Sequence, residues 1–276
     1  IWRETVPPTR APRELTTEEV EQLIEDFATA ALRAKSAGFD MVEVHGTHGY
    51  IVCQFLSPLT NRRTDVYGED RVLFAEKIVK RIKEKCGENF PVIFRLCADE
   101  GIEGGITTEY AKGIAKRLEE AGVDAFDITM GNYDTMDLIL MPMYHEREGF
   151  FLEQAAEIKK VVSVPVISGG LIASPEVAEK AIEDGTVDMV FIGRQLIADP
   201  EWPRKVKEGI NPSFILLWND VAISLQNTPP RGAVEKSDEI SSGFLVLCPF
   251  HHCQGLLKRT AKFFRNQGIA SFEVYH

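Results

Sequence analysis

The chain has 276 residues, a length typical of one large domain or two small ones. Hydrophobic residues make up 44% and charged residues 26% of it, an ordinary globular composition, and no apolar run approaches the roughly 20 residues that a membrane helix needs. The net charge of -11 argues against nucleic acid or an anionic membrane as a partner, because both require a basic surface, but it permits a local basic pocket for a phosphate.

The cysteines are scattered along the chain and odd in number. They are Cys53, Cys86, Cys97, Cys248 and Cys253. This usage argues against a disulfide framework and predicts a reducing, cytoplasmic setting. The chain begins at Ile1 and opens on a proline-rich stretch, from which we expect it to be an internal piece of a longer protein.

Predicted helices and strands alternate from about residue 14 to about residue 209. Thr16 and Glu19 form a capping box at the start of the first helix, Gly38 ends it, and a buried strand follows at 41–44. The later helix and strand pairs are predicted at 71–86 and 92–96, at 107–121 and 125–129, and at 151–161 and 164–168. The last predicted helix begins with Ser174 as its cap and Pro175 in its first turn, and it leads to a strand at 188–192.

The predicted strands are short and apolar without alternation, as expected of parallel strands that are covered on both faces. Three helix-to-strand junctions echo one another, since each has an aspartate at the start of the strand: Asp40, Asp124 and Asp188. Strands that alternate with helices in this way predict an α/β fold.

Two α/β architectures compete, a doubly wound sheet and a (β/α)₈ TIM barrel. A doubly wound sheet concentrates its ligand site at one switch point, whereas a barrel distributes it over many strand ends. Polar or glycine-rich signals follow nearly every strand here, which favours the barrel. About five of the eight βα units are recognisable, so we expect residues 1–210 to form an incomplete barrel and residues 211–276 a tail of unknown fold.

The densest group of candidate functional residues follows the first strand. His45, His48 and Tyr50 bring two imidazoles and a phenol together within six residues, and Gly46 and Gly49 keep the backbone open around them. Packing alone seldom requires three such side chains at the mouth of a strand. The end of this strand is therefore the first candidate for an active site.

The stretch from about Leu15 to about Glu208 resembles the old yellow enzyme family of flavin-dependent ene-reductases, in the style of the enoate and 2,4-dienoyl-CoA reductases. The most specific segments are His45-Gly46-Thr47-His48-Gly49-Tyr50, Gln54-Phe55-Leu56-Ser57-Pro58 and Asn61-Arg62-Arg63-Thr64-Asp65. The others, in the same order as in the family, are Phe94-Arg95-Leu96, Glu103-Gly104-Gly105, Ser168-Gly169-Gly170, Gly193-Arg194 and Ala198-Asp199-Pro200. The resemblance implies units four to eight of a TIM barrel that holds FMN and uses NAD(P)H as reductant.

The resemblance also implies roles for the residues after the first strand. His45 and His48 would bind the carbonyl oxygen of an unsaturated carbonyl substrate, where two donors stabilise the growing enolate charge. Tyr50 would protonate the α-carbon, for which a weak acid that keeps its proton near neutral pH is suited. The alternative is two histidines and a tyrosine that are bonded or packed within a loop.

The remaining site residues would hold the cofactor. Arg95 lies inside an apolar run and would contact the pyrimidine edge of the flavin; the alternative is a buried ion pair with Asp99 or Glu43. The phosphate would be bound by residues after the last two predicted strands, namely Gly169, Gly170, Gly193 and Arg194.

Other polar residues are expected to be structural or accidental. Asn61, Arg62, Arg63, Asp65 and Tyr67 would fix the loop after the first strand. Cys53 and Cys97 are interpreted as small core residues, Tyr144 and His145 as surface residues, and the segment 248–253 as an accidental cluster, because its cysteines and histidines lie too close together for one tetrahedral zinc ion.

Alternatives to an active enzyme remain open at this stage. Five βα units leave two open sheet edges, so the chain could be a truncated, non-catalytic remnant, or it could need a partner chain or a second copy to complete the barrel. A flavin-free aldolase or isomerase is disfavoured, because no lysine lies at a predicted strand end.

Overall fold

The computed structural model describes residues 13–135 and 148–210, together with the backbone of residues 246–247. The helices are α1 (Thr17–Ser36), α2 (Ile51–Leu56), α3 (Val66–Glu69), α4 (Leu73–Cys86), α5 (Thr108–Ala121), α6 (Leu152–Lys159), α7 (Pro175–Glu183), α8 (Arg194–Ala198) and α9 (Trp202–Lys207), with one 3₁₀ turn at Tyr133–Thr135. The strands are β1 (Val42–Gly46), β2 (Val92–Asp99), β3 (Ala125–Met130), β4 (Val166–Ser168), β5 (Met189–Phe191) and β6 (Val246–Leu247).

Helix α1 begins where the capping box predicts. The Glu19 amide donates to the Thr16 hydroxyl at 3.3 Å, and the Thr16 amide donates to the Glu19 carboxylate at 2.9 Å. These two bonds satisfy backbone donors that the first turn of a helix cannot pair internally. The helix buries a face at the spacing of helical turns, made by Val20, Ile24, Ala28 and Ala31.

The sheet is parallel from β1 to β5, and each strand pairs with the next one along the chain. Helices separate these strands in sequence, so the described elements form successive βα units of an incomplete TIM barrel, as predicted. Strand β6 pairs antiparallel with β5. The rest of the predicted tail lies outside the described residues.

The two faces of the sheet differ in character. One face carries the large apolar core, in which Val44, Phe94 and Phe126 pack with the inner faces of the helices. The other face holds a smaller apolar cluster around Ile167 and Met189. Because side chains alternate along a strand, the charged residues of β1 to β3 share this second face.

The repeated aspartates at the strand junctions have a common structural role at two of the three positions. Asp124 accepts from the amide of Val92 at 2.7 Å and from the ammonium of Lys83 at 2.6 Å. Asp188 accepts from the amide of Val166 at 2.9 Å and from Lys159 at 2.9 Å. Each carboxylate thus ties the start of the preceding strand to a helix lysine.

Three details differ from the sequence predictions. Strand β1 extends to Gly46, so His45 lies within the strand and not after it. Two short helices, α2 and α3, occupy the segment that was predicted only as a loop. Ser174 does precede α7, but its hydroxyl makes no capping bond to the helix and instead donates to the carboxylate of Glu148 at 2.9 Å.

The loop residues that were expected to be structural do hold this segment together. The Asn61 amide donates to the carbonyl oxygens of Phe55 and Tyr67, both at 2.7 Å. Arg63 donates to the carbonyl oxygen of Leu15 at 2.6 Å and pairs with Asp65. The prediction for Asn61, Arg63, Asp65 and Tyr67 is therefore confirmed.

Two further predictions can be compared with the described part of the chain. Cys53 and Cys97 are buried core residues, as expected. No helix among residues 13–135 and 148–210 has both the length and the apolar composition that a membrane crossing requires. Tyr144, His145 and the segment 248–253 lie outside the described residues.

Candidate active site

The candidate site lies at the carboxyl ends of the parallel strands, on the sheet face with the charged residues. Strand register places His45 of β1 beside Arg95 of β2, and Arg95 beside Asp127 of β3. These three side chains therefore form one row across three adjacent strands. In a parallel α/β fold, this end of the sheet is where ligands bind.

His45, His48 and Tyr50 lie together, as the sequence predicts. The ring of His45 is 5.4 Å from the ring of His48 and 5.1 Å from the ring of Tyr50, measured between centroids. His48 adopts a left-handed backbone conformation with φ of 60°, which is uncommon outside glycine. This conformation turns the chain sharply after β1, so that both imidazoles remain on one side.

The imidazole of His48 has a defined partner. Its Nε2 atom lies 3.1 Å from the hydroxyl oxygen of Thr129, at the end of β3. This contact joins the loop after β1 to a strand two positions away in the sheet. It orients the ring, because one of its two nitrogens is engaged.

Both histidines are held in the neutral form. Burial, together with the positive charges of Arg95 and His45, lowers the pKa of His48 to about 3. Burial and the charge of Arg95 also lower the pKa of His45. Near neutral pH each ring therefore offers one N–H donor and one bare nitrogen.

Arg95 pairs with a residue that the sequence analysis did not consider. Its Nε atom lies 3.3 Å from the carboxylate of Asp127, which is only 1% exposed. Asp99 and Glu43 were the partners weighed from sequence. The guanidinium also lies over the ring of Phe191, at 5.3 Å from the centroid.

Two carboxyl groups next to Arg95 have strongly perturbed acidities. Burial and the nearby Asp127 charge raise the pKa of Glu43 to about 8, against the opposing effect of Arg95. Burial raises the pKa of Asp127 to about 6, although Arg95 acts in the opposite direction. Such perturbed groups are typical of functional sites.

The predicted phosphate-binding residues lie at the ends of β4 and β5. A Cβ atom added to Gly169 would come within 2.6 Å of the carbonyl oxygen of Phe191, and Gly170 has a φ of +95°. The carbonyl oxygen of Gly170 accepts from the amide of Gly149 at 2.7 Å, which closes the neighbouring loop over this turn. Both positions therefore require glycine.

Gly193 and Arg194 begin helix α8 directly after β5. Arg194 is half-buried, and burial lowers the pKa of its guanidinium. No carboxylate among the described residues lies within ion-pair distance of it. A partly buried cation without an anionic partner is suited to bind an anion.

Sequence analysis missed three residues that the structure brings to this site: Asp127, Thr129 and Tyr133. The ring of Tyr133 lies 5.6 Å from that of Tyr50, and more than half of the Tyr133 side chain is exposed. Asp127 is a charged residue inside an otherwise apolar strand, and this pattern, which identified Arg95 as a site candidate, could have identified Asp127 as well. Nothing local marks Thr129 or Tyr133.

The turn that carries Tyr133 is fixed by a buried carboxylate. Glu100 is 1% exposed, and its oxygens accept from Ser57 at 2.5 Å and from the Asn132 amide at 3.1 Å. The Asn132 side chain in turn accepts from the amide of Asp134 at 2.8 Å. This network connects the end of α2 to the turn after β3.

Metal binding finds no support in the part of the chain that the structure describes, where no three histidine, cysteine, aspartate or glutamate residues are grouped to hold an ion. The ionisable residues of the site instead form the row of His45, Arg95 and Asp127, in which Arg95 and Asp127 are an ion pair.

Comparison with known proteins identifies the family. A family model described as "NADH:flavin oxidoreductase / NADH oxidase family" matches residues 4–213. The chain is 53% identical over 201 residues to an NADH oxidase of Thermoanaerobacter brockii, an alignment covering 72% of this chain and 31% of that protein. It is 41% identical over 214 residues to a cinnamate reductase of Clostridium sporogenes, covering 71% and 32% of the two chains.

A solved structure of 2-naphthoyl-CoA reductase in complex with 2-naphthoyl-CoA is similar to this chain. The TM-score is 0.67 at 37% identity, and the match covers 72% of this chain and 30% of that one. The fold and site thus define part of a (β/α)₈ barrel of the old yellow enzyme type.

The chain belongs to the NADH:flavin oxidoreductase / NADH oxidase family. The resemblance seen in the sequence motifs is thereby confirmed. The chain spans about a third of the length of the NADH oxidase and the cinnamate reductase.

Proposed function

We propose that this chain provides the FMN-binding and catalytic residues of an NAD(P)H-dependent oxidoreductase that reduces an activated C=C bond. FMN, when bound and reduced by NAD(P)H, supplies the hydride for the β-carbon of the substrate. One observation carries the proposal: His45, His48 and Tyr50 converge at the end of β1, in the same row of strand ends as Arg95.

The residues present fit an FMN molecule. Gly169 and Gly170 leave the backbone bare at the ends of the last parallel strands, where any Cβ atom would clash. Arg194 is a half-buried cation without a described carboxylate partner, as a phosphate site requires. We assign the phosphate to Gly169, Gly170, Gly193 and Arg194, and the polar edge of the ring to Arg95.

The contact with Thr129 leaves Nδ1 of His48 as the ring nitrogen that can face a ligand. A neutral imidazole has one N–H, and Nε2 faces the Thr129 hydroxyl. To donate to a substrate carbonyl, His48 must carry its proton on Nδ1, and Nε2 must accept from Thr129. The threonine hydroxyl can donate a hydrogen bond, so the contact is compatible with this tautomer.

The two neutral imidazoles suit an oxygen that gains negative charge. Each donates one N–H to the substrate carbonyl, and donors fixed in advance stabilise the enolate without reorganisation. A neutral imidazole is also a weak acid, so it donates a hydrogen bond to the oxygen without losing its proton before the hydride is transferred. The α-carbon then receives its proton from Tyr50, whose side chain is 49% exposed and thus accessible to a ligand.

The first test is flavin retention by the purified chain. FMN is added, the protein is desalted, and the visible absorption band is recorded. A retained, shifted band supports the proposal, and C=C reduction is then measured with Tyr50→Phe and His45→Ala. We expect both variants to keep the band and to lose most of the reduction rate, by about a hundredfold or more.

Tyr110→Phe is the matched control for loss of a phenol, because Tyr110 lies on α5 and packs against the outer apolar core. It should retain full activity. Full activity in Tyr50→Phe would exclude the assigned proton donor, and activity without any bound flavin would exclude the assigned chemistry.

A second proposal concerns the unit that is active. Among the described residues, no strand pairs with the edge of β1 that faces away from β2. Residues 1–210 would then bind FMN only together with a partner chain or a second copy that supplies further strands. A colourless chain that gains the flavin band when such a fragment is added would support this proposal over the first.

A further inference from the structure

Three ionisable side chains lie on the sheet face that carries the candidate site, and the function proposed above uses only one of them. Asp127 and Arg95 face each other on adjacent strands, and Glu43 lies on β1 two residues before His45. Residues two apart on a strand point to the same face. Glu43, Arg95 and Asp127 therefore share the inner face of the sheet.

The surroundings of this cluster are almost wholly apolar. Below and beside it lie Ile167 and Met189, with Phe191 against the guanidinium. The ionisable groups that face Glu43 from the packed elements are His45 on β1, Arg95 on β2 and Asp127 on β3. The described residues of β4 and β5 add none on this face, since Ile167, Met189 and Phe191 are apolar.

The charge balance of the cluster is the central problem. With both carboxylates ionised, the buried Asp127 and the half-buried Glu43 would place two negative charges near one positive charge, which is costly next to apolar side chains. Neutral histidines cannot compensate for the excess negative charge. If the two carboxyl groups hold one proton between them, the cluster is neutral and Arg95 keeps an ionised partner.

We propose that Asp127 is a positioning residue for Arg95, and that Asp127 and Glu43 hold one proton between them, which keeps this partly buried cluster neutral. Asp127 directs the guanidinium through the ion pair at 3.3 Å. Glu43 carries the proton for most of the time, because it has the greater affinity for it. The raised pKa of Glu43, about 8, and that of Asp127, about 6, agree with this order.

The proposal has a consequence for ligand binding, which rests on the proposed function of Arg95. Above about pH 8 Glu43 loses its proton, and a second negative charge appears beneath the guanidinium. An anionic ligand beside Arg95 is then bound more weakly. Glu43→Gln mimics the protonated acid and should abolish this dependence on pH.

The first experiment follows the carboxyl groups themselves and needs no ligand. The full chain is labelled with carbon-13 at the glutamate and aspartate carboxyl carbons and titrated by NMR from about pH 5 to about pH 9. Glu43→Gln identifies the Glu43 resonance. We expect a midpoint at about pH 8 for the Glu43 carboxyl. In Asp127→Asn the midpoint should shift clearly downward, because the Asp127 charge that raises the pKa of Glu43 is removed.

The control is Asp184→Asn. It removes a carboxylate from an exposed ion pair with Lys180, outside this cluster. It should leave the Glu43 midpoint unchanged. If Glu43 instead titrates in the ordinary range of glutamate in the wild-type chain, the proposal is overturned, and this outcome does not require Asp127→Asn to fold.

The second experiment measures the affinity for FMN by quenching of its fluorescence at about pH 7 and about pH 9. We expect a several-fold loss for the wild-type chain at the higher pH and none for Glu43→Gln. FMN itself also titrates over this pH range, but it does so equally for both proteins, so the comparison between them removes this effect. An equal loss of affinity in both proteins contradicts the role of Glu43. No binding by either protein favours the proposal that a partner fragment completes the FMN site, and the NMR result then decides whether the two carboxyl groups hold one proton.

Discussion

The Nε2 atom of His48 lies 3.1 Å from the hydroxyl of Thr129, although 81 residues separate them in sequence. His48 is in a loop after β1, and Thr129 is at the end of β3, so the contact reaches past β2 to a strand two positions away in the sheet. It determines which imidazole nitrogen can face a ligand. The site is thus defined by contacts between strands as much as by the motif in the loop.

Removal of the Thr129 hydroxyl tests this contact. We expect Thr129→Val, which keeps the shape of the side chain, to lower the rate of C=C reduction about tenfold, roughly the value of one hydrogen bond. The measurement is steady-state reduction by the FMN-loaded chain. Because the flavin contacts are untouched, the absorption band should not change, and a lost band would point to a disturbed fold instead.

Acid sensitivity tests the state of His48. Its pKa is about 3 in the folded chain against an unfolded value of 6.5, so the unfolded chain binds an extra proton between these values. This contribution to stability is complete above pH 6.5 and is lost as the pH falls towards 3. Asp127 and Glu43 have the opposite effect on the free energy of unfolding. Their pKa values are raised in the folded chain, so their contribution to stability is present at low pH and is lost as the pH rises.

His48→Gln should therefore lose less stability than the wild-type chain between about pH 6.5 and about pH 4. Urea unfolding at several pH values gives the comparison. An identical decline in both proteins would show that the His48 imidazole is protonated as readily in the folded chain as in the unfolded one.

The Lys83–Asp124 pair is expected to be important for folding. The side chains are 6% and 13% exposed, and Asp124 also binds the first amide of β2. Asp124→Asn leaves the lysine charge buried without its counterion, which should lower the free energy of unfolding by about 3–5 kcal/mol. Asp184→Asn, at an exposed pair with Lys180, should change it by less than about 0.5 kcal/mol.

Two glycine substitutions should have opposite effects on stability. In Gly169→Ala the new methyl group would meet the Phe191 carbonyl oxygen at 2.6 Å, so we expect a loss of about 1–3 kcal/mol. Gly113 lies in helix α5 with open space around it, and Gly113→Ala should gain about 0.5–1 kcal/mol. Thermal unfolding of both variants makes the comparison. Equal stability of Gly169→Ala and the wild-type chain would contradict the close approach of β4 and β5.

Sequence periodicity predicted the order of helices and strands correctly from α1 to β5. The largest differences are in the segment between β1 and α4, which contains α2 and α3. Asn61 holds this segment through two backbone carbonyl oxygens. Its helices have six and four residues and are too short to show an apolar repeat, so no periodic signal marked them.

The candidate site was predicted in part for a similar reason. His45, His48 and Tyr50 are close in sequence, and a single motif contains them all. Asp127 and Thr129 lie on another strand, and only strand register brings them beside Arg95 and His48. Tyr133 depends in addition on the buried Glu100 network, which no local pattern shows.

The sequence by itself determined the fold class, the family and the loop that carries two histidines and a tyrosine, because local spacing and hydrophobic patterns are properties of neighbouring residues. Only the tertiary structure decided that Arg95 pairs with Asp127, that Glu43 lies half-buried on the same face of the sheet, and that Thr129 orients His48. The physical reason is that parallel strands are joined through long connections. Which residues meet across the sheet depends on hydrogen-bond register and packing, and these exist only in the folded chain.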